Sequence, residues 1–182
     1  MKAFLGTLAA VCMVAGVLNA QAPTPTLKVG DTAPDFSLAA SDGKTYKLSD
    51  FRGKQPVVVA WFPAAFTQGC TIECKSLAAN GDKIRKFNVT YFMASTDPLE
   101  GERGNIAFAK AYNADFPMLS DPTKETAKAY GVLNQRGTAT RWTFYIDKQG
   151  KIAFIDTGVS QRTATSAEDM IAKMEELKFD KK

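Results

Sequence analysis

The sequence predicts a layered α/β domain with a mainly parallel sheet at its centre, and three observations carry that prediction. Strand-like and helix-like segments alternate through the middle of the chain, the pattern that crossover helices impose on parallel strands. The segment after Pro56, Val57-Val-Val-Ala-Trp-Phe62, is an unbroken apolar run, β-branched at its start and too short for a helix. Such a run suits a strand covered on both faces. Two antiparallel hairpins bracket the alternation and make the sheet mixed.

Gly30-Asp-Thr-Ala-Pro34 is turn chemistry, and a short strand follows at 36–38. Ser41-Asp-Gly-Lys44 turns the chain back into a strand at 45–48. The buried strand at 56–62 leads through a loop at 63–69 into a helix over 70–87. Ile72, Leu77, Ile84 and Phe87 give that helix a partial apolar stripe, with a weak point at Asn80-Gly81. A second buried strand spans 89–95. A helix at 105–112 puts Ile106, Ala109 and Tyr112 on one side, and Met118-Leu119 is a short strand. A helix at 123–130 is stopped by Gly131. Strands at 142–146 and 152–156 form the closing hairpin across Asp147-Lys-Gln-Gly150. The last helix, 166–177, has Thr165 and Glu168 as a capping box and Met170, Ile171, Met174 and Leu177 as its core face. Lys181-Lys182 reads as a frayed, solvated tail.

The 182 residues suit one domain, and 45% hydrophobic with 23% charged residues is a globular balance. There is no histidine, which removes His general bases, Ser-His triads and His metal sites. A net charge of +4, dispersed along the chain, does not support nucleic-acid binding. Met1-Lys2, an uncharged stretch rich in Ala, Val and Leu, and then Asn19-Ala-Gln-Ala22 read as a secretory signal peptide over 1–20. The apolar run is shorter than the ~18–20 residues of a membrane span. Cys12 lies within it, but Val11 stands where a lipoprotein signal needs a small residue. Cleavage is expected after Ala20 or Ala22, with a Pro/Thr linker at 21–26, the folded domain at 27–182 and export to the periplasm or medium.

After cleavage at Ala20 the remaining 162 residues bury enough surface to fold without a disulfide. Cys70 and Cys74 therefore need another reason to stand in an oxidising compartment. Cys70 falls where a buried strand, a loop and a helix start meet. There the unpaired N–H groups and the positive end of the helix dipole favour thiolate over thiol, and a buried, inert helix cysteine is the other reading of the position. Cys74 lies one turn on, with Cβ atoms ~5–6 Å apart in an intact helix, against the ~3.8 Å of a disulfide. A static disulfide does not fit; one that forms when the first turn unwinds does. Two thiols without histidine leave tetrahedral zinc short of ligands, so no metal and no cofactor is expected. Glu73 and Lys75 read as solvated helix residues, and Trp142 as core.

Pro63-x-x-x-Thr67-x-x-Cys70 resembles the signature of the peroxiredoxins, the alkyl hydroperoxide reductase/thiol-specific antioxidant family. Gly30-Asp-Thr-Ala-Pro-Asp-Phe36, Asp42-Gly-Lys44, Leu48-Ser-Asp50 and Arg52-Gly-Lys54 resemble the start of that family in order and spacing. Ser95-Thr-Asp97, Leu119-Ser-Asp121 and Arg141-Trp-Thr-Phe-Tyr-Ile-Asp147 continue it, and Gly69-Cys70-Thr71 resembles the bacterioferritin-comigratory, or Q-type, branch. The resemblance covers 29–177 and implies a thioredoxin-like fold and reduction of hydroperoxides. It implies Cys70 as the peroxidatic cysteine that becomes a sulfenic acid. It also implies Thr67 as hydroxyl partner of thiolate and peroxide, Pro63 as the residue shaping the loop, and Arg141 as the guanidinium on sulfur and peroxide oxygen. Pro63 also reads as a plain turn former, and Arg141 as a plain surface arginine.

The expected partners are a hydroperoxide and a thioredoxin-like reductant protein, with the chain a monomer or homodimer. In this branch a resolving cysteine on the same helix usually follows by five residues; here the interval is four. Cys74 is the one candidate for an intramolecular resolving cysteine. A one-cysteine mechanism or resolution between subunits stays open. The rival readings are a thioredoxin-like disulfide reductase, which usually carries Cys-x-x-Cys here, and a non-catalytic thioredoxin-fold binding module such as a copper carrier.

Overall fold

The computed structural model describes residues 25–182. The signal peptide at 1–20, Cys12 and most of the linker at 21–26 lie outside the described residues. The strands are β1 (Ser37–Ala40), β2 (Thr45–Lys47), β3 (Val57–Trp61), β4 (Thr90–Ser95), β5 (Met118–Ser120), β6 (Thr143–Ile146) and β7 (Ile152–Asp156). They form one seven-stranded sheet in the order β2-β1-β5-β4-β3-β6-β7. The helices are α1 (Gln68–Ala79), α2 (Gly81–Ile84), α3 (Asn105–Ala111), α4 (Glu125–Ala129) and α5 (Ser166–Glu176).

The apolar run after Pro56 is β3, buried along its whole length. Period-2 alternation divides it. Val58, Ala60 and Phe62 join one core with residues of α1, α2, α3 and α5. Val57, Val59 and Trp61 join the other with Ala127 of α4, Tyr130 and the N-terminal segment. Helices therefore cover both faces, as a parallel centre requires. β3 pairs β4 and β4 pairs β5 in parallel, while β6 runs antiparallel to β3 and to β7. The first hairpin joins the sheet through β1 against β5, antiparallel.

The helix expected over 70–87 begins earlier and is broken. It starts at Gln68, stops at Ala79, and resumes as α2 after Asn80. A Cβ at Gly81 would lie 2.5 Å from an Asp115 carboxylate oxygen, so glycine is needed for that approach. The apolar stripe also differs. The buried residues of α1 are Cys70, Glu73, Cys74 and Leu77, while Ile72 is 38% exposed. In α3 Ala109 is core as expected, but Phe108 takes the place of Ile106 beside it. α4 starts at Glu125 because Lys124 adopts a left-handed φ of 66°.

The capping box at α5 does not form. A 3₁₀ turn, Thr163–Thr165, leads into the helix, and the Thr165 hydroxyl reaches the Arg162 carbonyl and Asp169 instead of a helix N–H. Nor is the C-terminus a frayed tail. Lys182 N donates to Lys86 O at 2.8 Å, Asn88 N to Asp180 O at 2.7 Å, and Lys181 bridges Phe87.

Candidate active site

The site lies where β3 delivers the chain to α1, beyond the carboxyl ends of the parallel strands, where open α/β sheets place their ligands. After Trp61 the backbone makes one more sheet bond, Phe62 N to Ala94 O at 2.9 Å. Pro63, which has no N–H to continue the ladder, then opens the loop. Ala65 N donates to Asp97 Oδ2 at 2.8 Å, and Ser95 Oγ donates to the same oxygen at 2.9 Å, so a side chain beyond β4 anchors the loop. Phe66 takes a left-handed φ of 62°, strained for a non-glycine residue. Its ring packs edge-on to Phe108 at 5.2 Å between centroids, which holds the loop in that shape.

Thr67 is the N-cap residue, so Cys70 stands in the first turn of α1, among N–H groups without helical acceptors. Cys70 and Cys74 are both free thiols with no exposed surface. Arg141 comes from the segment that leads into β6, the strand beside β3, and Trp61 N on Trp142 O at 2.9 Å fixes that segment. Its guanidinium forks. Nη2 donates to Cys70 Sγ at 2.9 Å, and Nη1 donates to Glu73 Oε2. Arg141 is 7% exposed and Glu73 1%, so this is a buried pair.

The structure thus brings Cys70 and Arg141 together as expected. The plain surface arginine is ruled out, and Trp142 is core. It does not bring the Thr67 hydroxyl onto sulfur: Thr67 Oγ1 donates to Ala64 O at 2.9 Å. Pro63 is half-buried at the loop's start. Cys74 is one turn along from Cys70, on the apolar side of α1.

Glu73 corrects the expectation of a solvated residue. It falls on the 70, 73, 74, 77 stripe that faces the core. Its position three residues after Cys70 could have revealed this, since a carboxyl on a buried stripe needs a cationic partner. Burial pushes its carboxyl up from 4.5 to about 7, against the pull of Arg141, with the Asp156 charge adding to the rise. Gly69 was also missed as a site residue. A Cβ there would sit 3.2 Å from Arg141 Nη2, so glycine lets the guanidinium approach the helix start. Burial, then the charges of Glu73 and Cys70, push the Cys74 thiol up to about 12, and Lys75 only partly opposes this.

The description "AhpC/TSA family" fits residues 29–155. Peroxiredoxin Bcp of Escherichia coli strain K12 is 35% identical over 136 residues, spanning 71% of this chain and 85% of that protein. The chloroplastic peroxiredoxin Q of Triticum aestivum is 36% identical over 128 residues, 69% of this chain and 57% of that protein. The crystal structure of peroxidoxin BcpB from Mycobacterium tuberculosis superposes with a TM-score of 0.72 at 30% identity, covering 82% of this chain and 97% of that one. A buried thiol held by a guanidinium at a helix start, on this thioredoxin-like sheet, agrees with those likenesses, and the chain belongs to the AhpC/TSA family of peroxiredoxins, on its bacterioferritin-comigratory/Q-type branch.

Proposed function

We propose that this thiol-dependent peroxidase works through Cys70 as its nucleophile, with Arg141 as the group that stabilises charge on sulfur. The observation that carries the assignment is the charge-assisted contact of Arg141 Nη2 with Cys70 Sγ at 2.9 Å inside a buried site. The Cys70 thiolate attacks the terminal oxygen of a hydroperoxide. The S–O bond forms as the O–O bond breaks, and the leaving alkoxide or hydroxide takes up a proton to become alcohol or water. Cys70 is left as sulfenic acid. Arg141, already oriented by Glu73, meets the negative charge as it moves from sulfur to the departing oxygen without reorganising. Pro63 ends the strand and shapes the loop around the sulfur. Thr67 serves the peroxide once its hydroxyl turns from the Ala64 carbonyl.

Cys74 then resolves the sulfenic acid. Its sulfur attacks Cys70, the S–S bond forms, and the sulfenic oxygen leaves as water. A thioredoxin-like dithiol protein supplies the two electrons that reopen the disulfide. The first turn of α1 unwinds for this step, because the helical spacing of ~5–6 Å exceeds the ~3.8 Å that the bond needs. The apolar segment at 1–20 is the signal that places the enzyme outside the cytoplasm. N-terminal sequencing of the mature protein tests it, with Gln21 or Pro23 expected as the first residue.

The experiment on the nucleophile is Cys70→Ser. Peroxide turnover should vanish while the circular dichroism spectrum is kept; activity retained in a folded Cys70→Ser protein would falsify the assignment.

A further inference from the structure

Glu73 lines a second cavity, and neither Cys70 nor Arg141 lines it. It is small, about 10 Å³, the size of roughly one water molecule. Its polar lining is Glu73 from α1, Thr143 and Tyr145 from β6, Asp156 from β7, and Ser166 and Asp169 from α5. Asp156 and Asp169 also line a wider surface groove together with Arg162 and Lys173. The three charged residues 156, 162 and 169 thus stand between the buried carboxyl and solvent. Arg162 Nη2 contacts both oxygens of Asp156 at 2.8 Å, and Arg162 Nη1 bonds Asp169.

We infer that Asp156, restrained by Arg162, is a positioning residue for the peroxide site, acting across this cavity on Glu73 and thereby on how much of the Arg141 charge reaches Cys70. The Arg141 fork serves two partners, Glu73 and the Cys70 sulfur. An ionised Glu73 takes a share of the guanidinium; a neutral Glu73 leaves it to the sulfur. Asp156 sets a second negative charge on the same cavity, and two carboxylates sharing one site do not both ionise freely. Arg162 cancels part of that charge. The groups facing Glu73 are Cys70 and Cys74 on its own helix, Arg141 from the segment before β6, Tyr145 from β6, Asp156 from β7 and Asp169 from α5, with Arg162 behind Asp156. Burial, then Asp156 and Asp169, push the Tyr145 phenol upward, so it stays neutral here. Glu73 charge also opposes a Cys74 thiolate.

The test is the rate of Cys70 alkylation by iodoacetamide over roughly pH 5 to 9, on the reduced full chain carrying Cys74→Ser. An inflection that Glu73→Gln removes identifies the Glu73 step. Asp156→Asn should move that inflection down by roughly half to one pH unit and lower the rate at neutral pH. Arg162→Gln should move it up by a similar amount, because the Asp156 charge is then uncancelled. Opposite shifts are the signature, since mere structural damage gives both variants the same sign. Shifts of one sign, no shift, or no Glu73-dependent inflection overturn the inference. The Arg162 side chain is 42% exposed, so Arg162→Gln decides alone if Asp156→Asn does not fold: an upward shift supports the inference and anything else overturns it. The inference rests on Cys70 as the reactive thiol, but alkylation reads that thiol without peroxide. Opposite shifts in a protein that does not turn over peroxide would overturn the catalytic reading alone.

Discussion

Cys70 and Cys74 sit on consecutive turns of α1, both without exposed surface, yet their surroundings differ. Cys70 is at the helix start, beside unpaired N–H groups, with a guanidinium nitrogen 2.9 Å from its sulfur. Cys74 is inside the apolar cluster, and burial together with the Glu73 charge holds it as thiol, with its titration pushed up to about 12. Burial alone therefore says little about a cysteine. What decides is which charge shares the buried space. The comparison also explains how two thiols so close avoid premature reaction: the intact helix keeps Cys74 neutral as well as out of reach.

The largest effect expected on this pair comes from Cys74→Ser. That variant should reduce one equivalent of peroxide, then stall at sulfenic acid and over-oxidise. The unmodified chain with one equivalent should lose two thiols and stay monomeric on a non-reducing gel. Loss of one thiol, or a disulfide-linked dimer, would show that Cys74 does not resolve Cys70 within the chain. Next is Arg141→Met, which keeps the bulk of the stem and removes the charge. Alkylation of Cys70 at neutral pH and reaction with peroxide should fall together, on the order of a hundredfold. Unchanged alkylation would mean that the sulfur does not depend on the guanidinium. Gly69→Ala sharpens the comparison more gently. Its new Cβ, 3.2 Å from Nη2, should displace the guanidinium by a few tenths of an ångström and slow the peroxide step roughly threefold to tenfold. Cys74 in that variant should react as before with denaturant and thiol reagent.

The effect least specific to the two thiols is on stability. The Glu73 carboxyl titrates near 7 in the fold against 4.5 ordinarily, so between those values the folded chain binds more protons than the unfolded one. Stability from this group is full below the lower value and is lost as pH rises through the upper, by on the order of 3 kcal/mol. Urea unfolding of the reduced protein at about pH 5 and about pH 8 should show the loss, and Glu73→Gln should flatten it. An equal slope in Glu73→Gln would place the pH dependence elsewhere.

Much of this molecule was legible before folding was considered. The unbroken run 57–62 could be satisfied only by covering both strand faces, and the spacing from Pro63 to Cys70 put a thiol at a helix start. Arg141 was legible through the motif around it. Helix limits were not, because Gly81 breaks the helix at a close approach to Asp115 that no local pattern announces. Glu73 was misread for a related reason. In the sequence pattern Ile72 marks the apolar face, while the face that turns inward carries Cys70, Glu73, Cys74 and Leu77.

The sequence by itself determined the α/β layering, the central parallel strands and the placement of a thiol at a helix start, since these depend on periodicity and on spacing within one strand-loop-helix unit. Only the tertiary structure decided what surrounds that thiol. Arg141 lies 71 residues from Cys70 in the chain, and the Asp156–Arg162 pair is further still. Antiparallel placement of β6 against β3 sets one beside the sulfur, and the β7 and α5 packing sets the other behind Glu73. Electrostatic interactions depend on distance through space and on burial, and neither quantity exists until the sheet has closed on its helices.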